Sequence, residues 1–359
     1  MTTKATRAGD CWPSAEQTLL VQAALLDGDA GRRALSAWRS QAALDRLDLG
    51  SRRLLPLLYE RLQADPADPL LPILRDAHQQ AATKNAALIE ATAAAIQTLT
   101  DAGIDTIVLK GMALIASGMA SPGARPMADC DLLVPESLAL AARDALLRAG
   151  WRLEGRMNAD ILSLRHAVTF RAPSGHQLDL HWHVLADCCD SGADEDFWRA
   201  AVPASLHGVP TRTLCPADMV LHACVHGVRW SIVPPVRWAV DAMTVIRAAT
   251  APIDWDRFVV QAETRLLVLP AIDTLRYLRD HLGAPVPGWV DERLARASMP
   301  AWARAEYRVK RQPRTARRQA AFHWYHHRRS RASGTFLGDL ATFPSYLRRR
   351  WRFRAFASS

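Results

Sequence analysis

The stretch "RPMADCDLLVP" (125–135) sets Asp129 and Asp131 on either side of one cysteine, in front of an apolar Leu-Leu-Val. In a strand alternate side chains share a face, so this spacing points both carboxylates one way and Cys130 and Leu132 the other. Aspartate is disfavoured in strands, and two like charges side by side repel unless a cation lies between them. The pair therefore reads as an oxygen-liganded divalent-metal site of the kind that suits Mg²⁺. A third carboxylate, Asp179 in "QLDLHWHV" (177–184), sits between two leucines on a later predicted strand. With that strand beside the first, three carboxylates converge. Two Mg²⁺ ions about 3.5–4 Å apart could then activate an attacking oxygen and stabilise a leaving pyrophosphate.

A second stretch, "IDTIVLKG" (104–111), closes a β-branched run with Lys110-Gly111. Glycine after a strand lets the backbone approach a phosphate, and a following helix offers free N–H groups. The chain has no GxxxxGK[ST], so this is not a Walker A loop. Lys110 and Arg125 are the candidate phosphate cations, with an ordinary surface role as the competing reading of both.

These residues need elements to hold them. "SAEQTLLVQAALL" (14–26) predicts a helix capped by Ser14. "ILRDAHQQAATKNAALIEATAAAIQTLTDAG" (73–103) is alanine-rich, has no internal Gly or Pro, and predicts a long helix stopping at Gly103. After it come a short strand ending at the Lys110-Gly111 turn, a short helix (112–120), the "DCDLLVP" strand, an amphipathic helix ending at Gly150, and a hairpin over 166–185 around Pro-Ser-Gly. From Pro216 the helical pattern returns. The expected class is α+β: an N-terminal helical region (1–103), a sheet-bearing core (104–215), a C-terminal helical region (216–300) and a basic tail (301–359).

The order strand-Gly-helix, Asp-x-Asp, lone Asp resembles the nucleotidyltransferase superfamily that includes the DNA polymerase β palm. The fuller string "VLKG…RPMADCDLLVP…LDLHWHV" resembles a bacterial family of uncharacterised nucleotidyltransferases, over roughly residues 20–290. The resemblance implies a small polymerase β-type sheet flanked by helices. It implies Asp129 and Asp131 as metal ligands, Asp179 as third carboxylate and candidate general base, and Gly111 near the triphosphate. It also implies Mg²⁺, two ions, with Mn²⁺ as the alternative. Met112 departs from the superfamily, many of whose members have a phosphate-contacting serine after the glycine; Lys110 and Arg125 would then supply the missing charge.

Other histidines and acids weigh less. Asp179, His181 and His183 alternate on one predicted strand and could form a zinc triad, but the preferred reading makes His181 a substrate contact and His183 a partly buried residue. His222 and His226 are four apart on a helix without the glutamate of a zinc peptidase. His226, Trp238 and Asp241 resemble recurring family positions that would close the cleft, against a helix-packing alternative.

No run of about 18 apolar residues spans a bilayer, and the first residues show no signal-peptide pattern, which favours the cytoplasm. None of the six cysteines forms a CxxC pair, so reduced thiols are expected. Of 45 Lys+Arg and 36 Asp+Glu, residues 301–359 hold 15 and two. The tail is thus net +13 and the preceding 30 basic and 34 acidic residues net −4. Part of the tail, 301–330, is expected to be helical and docked, and "RRRWRFR" (348–354) to be a free element for nucleic acid, an anionic surface or the acceptor. The preferred activity moves a nucleoside monophosphate from an NTP, ATP among them, to an unidentified acceptor, with a peptide or small molecule favoured by analogy. An RNA-modifying nucleotidyltransferase and a non-catalytic nucleotide- or partner-binding protein are the competing readings.

Overall fold

The structure is a computed structural model and describes residues 9–313, 315–331 and 334–352. The chain divides into two compact units. The first comprises residues 1–80, 123–125 and 223–322, and the second residues 81–122, 126–222 and 323–359.

Among the described residues the first unit is helical. Its opening helix, Ala15–Leu25, starts where the sequence predicts: Ser14 accepts from the Gln17 N–H, and Gln17 accepts from the Ser14 N–H, a reciprocal capping box. Later helices, Arg237–Ala248, Trp255–Thr264 and Val268–Leu282, bury Trp238, Phe258 and Leu278.

The long helix Leu71–Asp101 ends as predicted, at Gly103. Gly103 takes φ +72°, a conformation that costs any residue with a Cβ.

The second unit holds a seven-stranded mixed sheet in the order β3-β4-β5-β2-β1-β7-β6. In chain order the strands are β1 (Ile107–Val108), β2 (Asp129–Leu133), β3 (Arg152–Glu154), β4 (Ala167–Arg171), β5 (Gln177–His181), β6 (Val202–Leu206) and β7 (Val209–Thr213). β2 runs parallel to β5 and antiparallel to β1, and β4–β5 is the expected hairpin. Cys130, Leu132, Val168, Phe170, Leu178 and Leu180 are buried together on one face of β2, β4 and β5. The core thus anchors the strands and leaves the opposite face for polar groups.

Three features differ from the sequence reading. First, β1 is only two residues long, and the helix after it, Lys110–Ala116, begins at the lysine itself. Second, β6 and β7 form a hairpin that the sequence reading omits. Its two-residue turn is His207-Gly208, with φ +51° and +81°, the pair of positive angles that suits strand twist. Third, the tail is helical well past residue 330. Helices cover Ala301–Lys310, Ala316–Arg329 and Phe336–Arg352. Arg348 to Arg352 of "RRRWRFR" therefore belong to a helix, and Phe353 and Arg354 lie outside the described residues.

Candidate active site

Register decides which polar side chains meet. β2 and β5 pair in parallel with Asp131 opposite Asp179, Asp129 opposite Gln177 and Leu133 opposite His181. The period of two then places Asp129, Asp131, Gln177, Asp179 and His181 on one face, with Thr169 of β4 beside Asp179. Asp131, Asp179 and His181 each offer a ligand atom, and those atoms lie within 4.8 Å of one another. Among the described residues they form the one such group of His, Cys, Asp and Glu side chains. Asp129 lies two positions back on the same face, outside that group.

Asp131 is the centre of the charge arrangement. Its Oδ1 accepts from Lys110 Nζ at 2.5 Å and contacts His181 Nε2 at 2.9 Å. Burial alone would push its carboxyl up, but the His181 hydrogen bond and the Lys110 ammonium hold it well below the usual carboxylate range. His181 is itself buried, and its Nδ1 lies 3.2 Å from the His183 carbonyl oxygen. That contact fixes the ring's orientation, the usual second partner of an imidazole that ligates a metal through its other nitrogen.

Asp179 is held differently. Thr169 Oγ1 donates to its Oδ1 at 2.8 Å, and Gln177 Nε2 donates to the same oxygen at 3.3 Å. Neither Thr169 nor Gln177 figures in the sequence reading. The signal that could have found Thr169 is the hairpin register, which places it opposite Asp179. Cys130, between the two aspartates, is buried on the core side, and burial pushes its thiol up.

The turn before the site carries backbone strain. Lys110, not Gly111, adopts the left-handed conformation, with φ +50°. A lysine there costs on the order of 1 kcal/mol, and such residues persist where their surroundings fix them. Here the Leu109 N–H donates to the Asp131 carbonyl, and the Lys110 side chain bonds the Asp131 carboxylate. The strained turn thus keeps the ammonium over the site.

Arg125 belongs to the first unit and makes a bidentate ion pair with Asp241, at 2.8 and 2.7 Å. His226 is exposed in the same unit, and Trp238 is buried there against Tyr277. His183 does not join the candidate ligand group: its Nδ1 bonds Asp194 at 3.0 Å.

A family model described as uncharacterised nucleotidyltransferase matches residues 49–283. The chain belongs to that family. It is a nucleotidyltransferase with a mixed α+β fold. No curated protein matches it at a significant level. Among solved structures it is similar to the antibiotic-resistance factor ANT(2'')-Ia, at 13% identity and a TM-score of 0.34, over 56% of this chain and 95% of that one. It is also similar to an antigenic nucleotidyltransferase-like protein from Paracoccidioides brasiliensis, at 16% identity and a TM-score of 0.35, over 60% of this chain and 95% of that one. Nucleotidyltransferases generally use divalent metals. The Asp-Asp-His group of this member fits one: its donor atoms are close together, anionic oxygen predominates, and the imidazole's outer nitrogen is already fixed. No helix among the described residues is long and apolar enough to cross a membrane.

Proposed function

We propose that this nucleotidyltransferase moves a nucleoside monophosphate from an NTP to an acceptor, with release of pyrophosphate, at the face carrying Asp131, Asp179 and His181. The observation that carries the reading is the in-register pairing of Asp131 with Asp179, with His181 in ligand reach of both. Asp131, Asp179 and His181 would hold a divalent ion, and Asp129 would contribute to a second. Mg²⁺ or Mn²⁺ bound there would supply charge neutralisation at the reacting phosphate. The imidazole in the set makes Mn²⁺ a stronger competitor than three carboxylates would.

The chain's own residues do the rest. Lys110, released from Asp131, turns its ammonium to the triphosphate oxygens. Asp179 holds the acceptor oxygen and takes its proton; among the described residues its hydrogen bonds all go to Oδ1, which leaves Oδ2 for that task. Thr169 and Gln177 keep that carboxylate in one orientation, so little reorganisation is needed during reaction. We assign the activity to the cytoplasm, where buried thiols such as Cys11, Cys130, Cys189 and Cys224 stay reduced. A peptide or small molecule is the acceptor class we favour, by analogy with the family.

The test is transfer of label from each α-labelled NTP to components of a cell extract, with Mg²⁺ or Mn²⁺. The expected result is one labelled acceptor, lost with chelator and lost in Asp179→Asn. A labelled RNA would replace the small acceptor with a nucleic acid. Absence of transfer from every NTP with either metal would leave a binding protein, and the proposal would fall.

A further inference from the structure

The helix Phe336–Arg352 is amphipathic in an unusual sense. Its inner face is packed within the second unit. Tyr346 is buried and contacts His326 Nδ1 at 3.1 Å, Phe343 meets Trp324 edge-on at 5.2 Å, and Arg350 donates to the Leu164 carbonyl. Its one acid, Asp339, is fully buried between Arg328 and Arg331. The outer face is exposed instead. Leu337, Leu340, Ala341 and Pro344 follow the i, i+3, i+4, i+7 rule and are all exposed, while Phe336, before them, packs edge-on against Trp324 at 5.8 Å. Leu337 is 75% exposed, Phe336 56% and Leu340 46%. The same stripe continues eleven residues on to exposed Arg348, with exposed Arg349 alongside.

We infer that this face docks the protein on an anionic lipid surface. Charge complementarity selects the partner: the exposed face presents arginine and no carboxylate, because Asp339 is turned inward. A second copy meeting it through the same face would cover the arginines without offering them a carboxylate, since Asp339 is buried in both copies. Nucleic acid would satisfy the arginines but offers nothing to two exposed leucines, since bases stack on aromatic rings. The headgroup–acyl boundary satisfies both, with apolar side chains buried shallowly and guanidinium groups among the phosphates. The inference is independent of the transferase reading, because none of these residues belongs to the metal-binding face.

The test is sedimentation of the full-length protein with vesicles of phosphatidylcholine alone or mixed with phosphatidylglycerol, at low and high salt. Binding to the anionic vesicles only, falling with salt, is the expected result. Arg348→Gln with Arg349→Gln should weaken partitioning about 25-fold, roughly fivefold per arginine. Leu337→Ser with Leu340→Ser should weaken it at least about tenfold. Both pairs should keep the wild-type melting temperature, since all four side chains are exposed. Failure to sediment with anionic vesicles at low salt overturns the inference. So does binding that the leucine variant leaves intact, as would RNA binding of equal strength, or a dimer that the leucine variant dissolves.

Discussion

Asp131 of β2 and Asp179 of β5 are direct partners across a parallel strand pair, yet they are held in opposite ways. Asp131 is buried and compensated by two cationic or donor groups, Lys110 and His181. Asp179 is half-buried and held by two neutral donors, Thr169 and Gln177. The first arrangement suits an anchor of the charge centre, and the second suits the proton-accepting role proposed for Asp179.

Asp131→Asn should therefore abolish transfer and also destabilise the fold. Reading only the Asp-x-Asp spacing, removal of crowded charge would leave metal-free stability unchanged or higher. The structure reverses that expectation for Asp131, because its loss leaves Lys110 and buried His181 without their anion. A cost of about 3 kcal/mol is expected. Chemical denaturation without metal measures it; an equal or raised midpoint would mean that Lys110 and His181 do not compensate this carboxylate in solution.

Thr169→Val should lower the chemical step about 10- to 100-fold, the usual effect of removing a group that orients a site carboxylate. Triphosphate affinity should stay within twofold of wild type, roughly 0.4 kcal/mol. Single-turnover kinetics with direct NTP-binding measurements separate the two. A Thr169→Ser variant should recover most of the rate, and its failure to do so would point to packing rather than to the hydroxyl.

Lys110→Met should move two affinities in opposite directions. The ammonium competes with a cation for Asp131 Oδ1, so divalent-metal affinity in the absence of nucleotide should rise, on the order of tenfold. NTP affinity should fall by a similar factor, because a charge-assisted contact to phosphate is lost. Calorimetric titration of Mn²⁺ and of NTP reads both. A fall in both affinities would show that Lys110 supports the site structurally.

Arg125 and Asp241 should behave as a coupled pair. Their side chains are 12% and 16% exposed, and the ion pair is bidentate. Removing either should cost roughly 2–4 kcal/mol, with the double variant well short of the sum. The measurement is a double-mutant cycle in urea, with NTP affinity recorded for each variant. Additive losses of stability with a weakened NTP complex would restore Arg125 to the phosphate role that its loop position suggests.

Packing of the Ala316–Arg329 and Phe336–Arg352 helices should weaken in mild acid. Burial holds the His327 imidazole below its ordinary value, opposed by the Asp339 carbonyl and carboxylate and aided by Arg331 and Arg349. The sign follows from linkage. With the folded value depressed, the unfolded chain binds the proton first, so stability is full above about pH 6.5 and falls as pH drops below it. Hydrogen exchange in these helices at pH 7.5 and 5.5, corrected for intrinsic rates, should show the loss, and His327→Gln should flatten it. An unchanged pH difference in that variant would assign the effect to another group.

The sequence alone determined much of this protein because the relevant signals are local. Periodicity, capping and a helix stop identify the Ser14 cap, the Leu71–Asp101 helix and the β4–β5 hairpin. The spacing of Asp129 and Asp131, with Asp179 on a leucine-flanked strand, was enough to nominate a metal-binding face. What only the tertiary structure decided depends on register and on long-range partners. A shift of one residue between β2 and β5 would turn Asp179 to the core, and no local pattern fixes that pairing. Lys110 and Asp131 are 21 residues apart in the chain, and Arg125 and Asp241 are 116 apart. Which cation each carboxylate meets is therefore set by how the sheet and helices close. Composition assigned only part of the tail: residues 348–354 read as a free element, but the packing of Tyr346, Phe343 and Asp339 docks the helix that carries Arg348 to Arg352. Burying those side chains on one face is what leaves the leucines and arginines of the other face exposed.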